Sequence, residues 1–402
     1  MAAHPVKEAE ATLTNKLRRA RILETLGARE SDLQALLEHT ANHFALERVQ
    51  WPLALPLEDE PHVVVWESYA ETLEREGSIQ VLTRVFPQLR FPIAAGVSKT
   101  DDYRAATRRG EPCSGSVDSD IALSRPDRVR IVIRQTAAGR IPLLIVGQRD
   151  DFVKLVRAFT MRNEPGPVPD SQGACMVSGY NNWDRIRAYR QDWEVRTGGT
   201  GVAWETEFAA LVARQHLYQD RFVIVSGGPY SAVSSEELAL SDASWQDISL
   251  SIRMEHECTH YFTKRVFGSM RNRLHDEFLA DFAGIAAACG RYRADWFLRF
   301  MGLEHHPKYR AGGRLENYGG DVPLSRNAFA VLQELVVRSA HRVNTYCMTL
   351  GDALTDPRER MIVVVALAHL TLEQLADDSG GCLESAVSTA RGQLKWRRVA
   401  GG

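Results

Sequence analysis

Apolar residues recur at helical spacing along most of this chain and alternate in one region. Near the N-terminus Leu13, Leu17, Ala20 and Leu23 share a face, with Lys16, Arg18, Arg19 and Arg21 largely elsewhere. The basic residues read as the solvated side of a helix. A second helix is predicted from Ser31, with Gln34 as its capping-box partner. It carries Leu33, Leu36, Leu37, Thr40, Ala41 and Phe44 at helical spacing. His39 and His43 are four apart on it, but no glutamate lies between them and no acidic helix follows. They read as structural or solvated. Residues 51–60 (WPLALPLEDE) are Pro-rich and read as a linker. Residues 63–66 and 69–75 predict packed structure ending in helix. The polar stretch that follows, up to Asp120, reads as a long exposed loop. Its Lys99, Arg104, Arg108 and Arg109 read as solvated, with an anionic substrate group as the alternative partner.

Residues 128–147 carry the clearest strand pattern. Val129, Ile131 and Ile133 alternate with Arg128, Arg130 and Arg134, Ala138–Gly139 is a turn, and residues 141–146 are a second apolar strand. Asp150 can cap a helix that places Phe152, Leu155, Val156 and Phe159 on one face. A strand is predicted at 174–178 and a helix at 204–216. Residues 180–184 (YNNWD) read either as a turn around a buried Trp183 or as a substrate-facing cluster. Residues 221–226 (RFVIVS) form a short strand closed by Gly227, Gly228 and Pro229.

Beyond this point the pattern is helical. Ser244 with Asp247 resembles a capping box, residues 245–267 contain no Pro or Gly, and Gly268 is a natural stop. A following helix is predicted over 274–289, ending at Gly290, and a short one over 291–300. Residues 304–322 are irregular. Ser325 opens a long helix through Cys347, and Asp356–Pro357 opens another through Ala376 with Pro in the favoured first turn. His369 reads as a core histidine, and the tail KWRRVAGG reads as frayed.

The chemistry sits in residues 256–281. His256, Glu257 and His260 form H-E-x-x-H. On a helix, residues four apart lie on one face, so both imidazoles can reach one metal ion with Glu257 beside them. A hydrolytic zinc site needs this set: two neutral nitrogen ligands and a carboxylate that takes a proton from the attacking water. Glu277 and Asp281 are also four apart, on one face of the next helix.

H-E-x-x-H followed by E-x-x-x-D resembles the gluzincins, the thermolysin-like zinc peptidases. The longer run around the motif is similar to that of uncharacterised bacterial proteins. The resemblance implies that His256, His260 and Glu277 are metal ligands, that Glu257 is the general base, and that Asp281 hydrogen-bonds a ligand histidine. It also implies a Tyr or His donor for the developing oxyanion. Tyr318 is the first candidate, followed by Tyr309, His306 and His341. Asp276 is the alternative third ligand if the helix is phased differently. By the same resemblance, RFVIVS is an edge strand placed to pair with an extended substrate; an inner strand of the same sheet is the alternative.

The 402 residues suffice for two or three lobes. A net charge of −2 gives no reason to expect nucleic acid or an anionic membrane as partner. The first residues lack the apolar core of a secretory signal, and no apolar run is long enough to span a bilayer. Six scattered cysteines without a CxxC pair, Cys258 and Cys289 among them, read as reduced thiols in a cytoplasmic protein. The expected fold is α+β and zincin-like. An N-terminal helical segment and linker (1–60) precedes an α+β lobe (61–243) and a mainly helical catalytic lobe (244–402), with the cleft between lobes. The expected activity is zinc-dependent cleavage of a peptide or amide bond, with one Zn(II). The alternatives are a zinc or non-haem Fe(II) enzyme acting on a non-peptide small molecule, since two histidines and a carboxylate also suit Fe(II), and a non-catalytic zinc-binding protein.

Overall fold

The chain leaves one unit and returns to it: Met1–Pro56 and Val233–Gly402 cluster together, and Leu57–Ala232 forms a second unit. The structure, a computed structural model, describes residues 4–76, 80–111, 121–270, 273–318, 323–377 and 381–397. The N-terminal stretch, expected as a helical segment and linker over 1–60, thus groups with the first unit. It supplies α1 (His4–Thr25), α2 (Glu30–His39) and β1 (Leu53–Leu55) to the first unit. α2 starts after Arg29 rather than at the predicted Ser31 cap, and Gln34 bonds Glu38 one turn on. β1 lies in the expected linker. It pairs in parallel with the C-terminal strand, Leu53 opposite Leu394 and Leu55 opposite Trp396, so the tail is anchored at least that far.

The second unit holds α3 (Val63–Glu76), α4 (Gln80–Val85), α5 (Asp101–Arg104), β2 (Arg130–Thr136), β3 (Gly139–Val146), α6 (Arg149–Thr160), β4 (Ala174–Asn181), α7 (Trp183–Thr197), α8 (Val202–Val212) and β5 (Gln219–Ser226). The predicted hairpin forms, with Thr136 opposite Gly139 and Arg130 opposite Ile145. The sheet order is β2-β3-β5-β4. β3 and β5 are the middle strands and are buried along almost their whole length, which is why they read as continuous apolar runs. Trp66, Phe86 and Phe159 pack on Phe222 of β5.

Two expectations change here, and one open alternative resolves. RFVIVS is not an edge: β3 pairs with it on one side and β4 on the other, so its backbone groups are already satisfied and it cannot accept an extended peptide. The expected loop before Asp120 is partly helical, α5 running on through a π-turn (Ala105–Arg109) that ends at Gly110; residues 112–120, with Cys113, lie outside the described residues. Residues 180–184 are structural. Asn182 caps α7, accepting from the amides of Asp184 and Arg185, and donates to Asp220, which also pairs with Arg185 at 2.7 Å.

Back in the first unit the chain forms α9 (Asp242–Phe267), α10 (Leu274–Cys289), α11 (Ala294–Met301), α12 (Arg326–Leu350), α13 (Pro357–Ala368), α14 (Leu372–Ala376), α15 (Cys382–Gln393) and β6 (Leu394–Trp396). The cap of α9 is Ser241, accepting from the amide of Ser244, one turn earlier than predicted. Its end at Gly268 and the bounds of α10 are as predicted; both closing glycines have positive φ. The helix expected from Asp356 to Ala376 breaks after Ala368, where Thr371 and Gln374 form a new capping box. The molecule is thus of the expected α+β class, with helix dominant. Among the described residues, no helix is long and apolar enough to cross a membrane, and the five described cysteines are free.

α10 is buried at every position from Leu274 to Ala286. It lies against α9 closely enough that a Cβ on Gly284 would sit 2.7 Å from the carbonyl oxygen of Ile252 and 3.0 Å from its Cγ2. A backbone carbonyl cannot rotate away, so any side chain here must part the two helices. Gly284→Ala should therefore lower stability by about 1–2 kcal/mol in chemical denaturation, overpacking outweighing the helix-propensity gain. Unchanged or increased stability would mean that α9 and α10 separate freely.

Candidate metal centre

α9 and α10 each bring two polar residues, four apart, into their shared interface. His256 and His260 on α9 and Glu277 and Asp281 on α10 are all buried. Gly268 turns the chain between the helices, which places the first turns of α10 against the last turns of α9. His256 Nε2 and His260 Nε2 face each other at 3.0 Å. Glu277 Oε2 lies 3.5 Å from His256 Nε2, and Oε1 lies 3.4 Å from His260 Nε2. One ligand atom from each of the three residues lies within 4.8 Å of the other two, a spacing that suits a single ion with zinc-like bonds to nitrogen and oxygen. His256, His260 and Glu277 can therefore hold one metal ion.

Around them stands a ring of charge-assisted bonds. Asp281 Oδ1 lies 2.9 Å from His256 Nδ1. Arg314 donates through Nη2 to Glu277 Oε2 at 2.9 Å, through Nη1 to Asp281 Oδ1 at 3.3 Å, and through Nε to the Tyr318 hydroxyl at 2.9 Å. Tyr318 in turn donates to Glu277 Oε2 at 2.9 Å. Burial alone would raise the Asp281 carboxyl, but the charge of Arg314 and the His256 hydrogen bond outweigh it and hold it below the usual range. An ionised Asp281 only accepts, so Nδ1 of His256 carries the hydrogen of that bond, while Nε2 faces His260 and Glu277. Burial would likewise raise Glu277, but His260, His256 and Arg314 hold it well below that range. Burial lowers the pKa of His260, yet the hydrogen bond and charge of Glu277 win and bring it up to about 9. His260 Nδ1 is buried without a hydrogen-bond partner among the described residues, so only His256 is oriented by a carboxylate.

Glu257 is half-buried and has no hydrogen bond or salt bridge to another described side chain. Asp276 is buried but stands outside the ligand group, and His275 points elsewhere, its Nε2 3.0 Å from the Leu367 carbonyl oxygen and its ring beside Phe44. Tyr318 reaches the group, where its hydroxyl donates to Glu277 Oε2. Tyr309 bonds the Gly313 carbonyl oxygen, and His306 and His341 line a separate cavity of about 500 Å³ with Trp296 and Arg299. His43 pairs with Arg273, and His369 packs on Trp51. Arg314 was not picked out from the sequence. The only local signal for it is its four-residue spacing to Tyr318 in a glycine-bounded loop.

A family profile described as a family of unknown function (DUF7005) matches residues 21–379, and the chain belongs to that family. No curated protein and no solved structure matches the chain.

Two outcomes follow for the ligand set. Glu277→Gln should weaken metal binding strongly and Asp276→Asn should change it little in a competition titration; the reverse order would move the third ligand to Asp276. With no metal bound, the raised pKa keeps His260 protonated through neutral pH, and a metal must displace that proton. Apparent affinity should therefore fall as pH drops below about 9, with about one proton released per metal bound in weakly buffered solution at neutral pH. Binding with no proton release would show that His260 is neutral before the metal arrives.

Proposed function

We propose that this chain is a zinc-dependent hydrolase that cleaves a peptide or amide bond, with His256, His260 and Glu277 as ligands and Glu257 as general base. The observation that carries this reading is the convergence of two imidazoles and a carboxylate in one buried group, with Asp281 behind His256. The resemblance of H-E-x-x-H and E-x-x-x-D to the gluzincins supports the same reading, together with the zincin-like class it implies. When bound, zinc supplies a Lewis acid that makes water acidic enough to attack near neutral pH and polarises the carbonyl it attacks.

The residues divide the remaining work. His256 and His260 present their Nε2 atoms on one helix face, where a bound metal would displace the proton held by His260. Asp281 holds His256 in the tautomer that leaves Nε2 free to coordinate. Glu257 is one residue from His256 and uncommitted, so its carboxylate can take the proton from the attacking water and pass it to the leaving amine. Tyr318 sends its hydroxyl hydrogen to Glu277, which makes it a support of the ligand rather than a free oxyanion donor.

One observation favours a second reading within the same chemistry. The strand expected to pair with a peptide is an inner strand, so a small-molecule amide becomes the alternative substrate.

Glu257→Gln keeps size and shape but cannot accept a proton. It should retain its metal and lose turnover by about 10²–10⁴-fold on whichever member of a quenched-fluorescent peptide and N-acyl anilide panel the wild type cleaves. Full activity with zinc retained would contradict hydrolysis through Glu257. Iron with oxygen-dependent turnover would instead favour a non-haem iron enzyme.

A further inference from the structure

We infer that Arg314 and Tyr318 form a clamp that makes Glu277 a one-oxygen metal ligand and serves as the standing counter-ion of the centre. The inference rests on the reading of His256, His260 and Glu277 as ligands. Its basis is the distribution of bonds over the two oxygens of Glu277. Oε2 accepts from both Arg314 Nη2 and Tyr318, each at 2.9 Å. A carboxylate oxygen has about two acceptor sites, so this one is filled. Oε1 faces His260 Nε2 at 3.4 Å and, with Oε2 filled although it lies 3.5 Å from His256 Nε2, is the oxygen left to the metal. The third arm of the fork reaches Asp281 Oδ1, which His256 also uses. One planar guanidinium therefore ties the ligand carboxylate, the orienting carboxylate and the phenol together, a geometry that lysine cannot reproduce.

The clamp has a rigid seat. Arg314 and Tyr318 are the two ends of one short 3-10 stretch (Arg314–Tyr318). Just before it, a Cβ on Gly313 would lie 2.6 Å from both the Gly302 Cα and the Met301 carbonyl oxygen. Tyr309 closes the seat by donating to the Gly313 carbonyl oxygen at 2.7 Å. Arg314 is a positioning residue by this account: it touches the ligand and not the reacting atoms.

Charge gives the inference a second, independent consequence. Arg314 and a bound metal are counter-ions to the same two buried carboxylates. Removing Arg314 leaves those charges more dependent on the metal, so the metal should stabilise the variant more than it stabilises the wild type.

The test uses the full chain with Co(II) or Zn(II) added, and three variants. Tyr318→Phe removes one hydrogen bond to Oε2, Arg314→Lys keeps the charge but loses the fork, and Arg314→Met removes the charge. The visible Co(II) bands weaken when a second carboxylate oxygen raises the coordination number. They should be strong in the wild type and weaker in Tyr318→Phe and Arg314→Lys. Without metal, Arg314→Met should unfold roughly 10 °C below the wild type, and zinc should raise its midpoint by more than it raises the wild type's. Unchanged Co(II) bands in both clamp variants, or equal zinc-induced rises, would overturn the inference. If Arg314→Met folds only when zinc is present, the inference is supported; if it folds in neither condition, the Co(II) spectra of the other two variants decide. A wild type that binds neither metal would instead overturn the metal reading itself.

Discussion

Two carboxylates buried side by side on one helix set the terms for the rest of this centre. Glu277 and Asp281 lie a turn apart on α10, inside the first unit. Removing an ion from water costs several kcal/mol even after relaxation. Such a pair persists only if its neighbours are cationic or donate hydrogen bonds. The structure supplies both kinds at once: two imidazoles from α9, and a guanidinium and a phenol from the loop after α11. Each carboxylate is held ionised by these partners, and each is thereby made a competent ligand or orienting group.

The same requirement explains why the centre is built on helices in close contact. The bonds that satisfy Glu277 and Asp281 span only about 3 Å, the ordinary hydrogen-bond length, so α9 and α10 must approach closely and stay there. Gly284 permits that approach by presenting no side chain to Ile252. Closing glycines at both helix ends turn the chain without strain. The second unit satisfies a buried carboxylate in a comparable way, Asp220 being held by Trp66, Asn182 and Arg185. It offers no group of ligating residues comparable to that on α9 and α10 among the described residues. What distinguishes the group on α9 and α10 is thus the convergence of imidazole nitrogens on one carboxylate.

The grouping of His256, His260 and Glu277 was legible in the sequence because its information is local. A four-residue spacing on a helix is a statement about one face, and the stops at Gly268 and Gly290 gave both helices their ends. The features that were not legible depend on contacts between distant segments. Arg314 acquires meaning only when its loop folds back onto α10. The β1–β6 pairing joins opposite ends of the chain, so the proline-rich stretch around β1 looked like a linker. RFVIVS has the composition of an inner strand and equally of a protected edge, and only the sheet order distinguishes them. The cap at Ser241 was missed because Ser244, three residues on, carries an equally good local signal.

The central claim is that α9 and α10 together hold one catalytic metal. Its most direct test is elemental analysis of the purified protein, without added metal, beside a variant carrying both His256→Ala and His260→Ala. The account predicts about one equivalent of zinc per chain in the wild type and essentially none in the double variant, with both proteins folded by circular dichroism. A folded double variant that retains its full complement of metal, or a wild type that takes up none even when zinc is supplied, would contradict it.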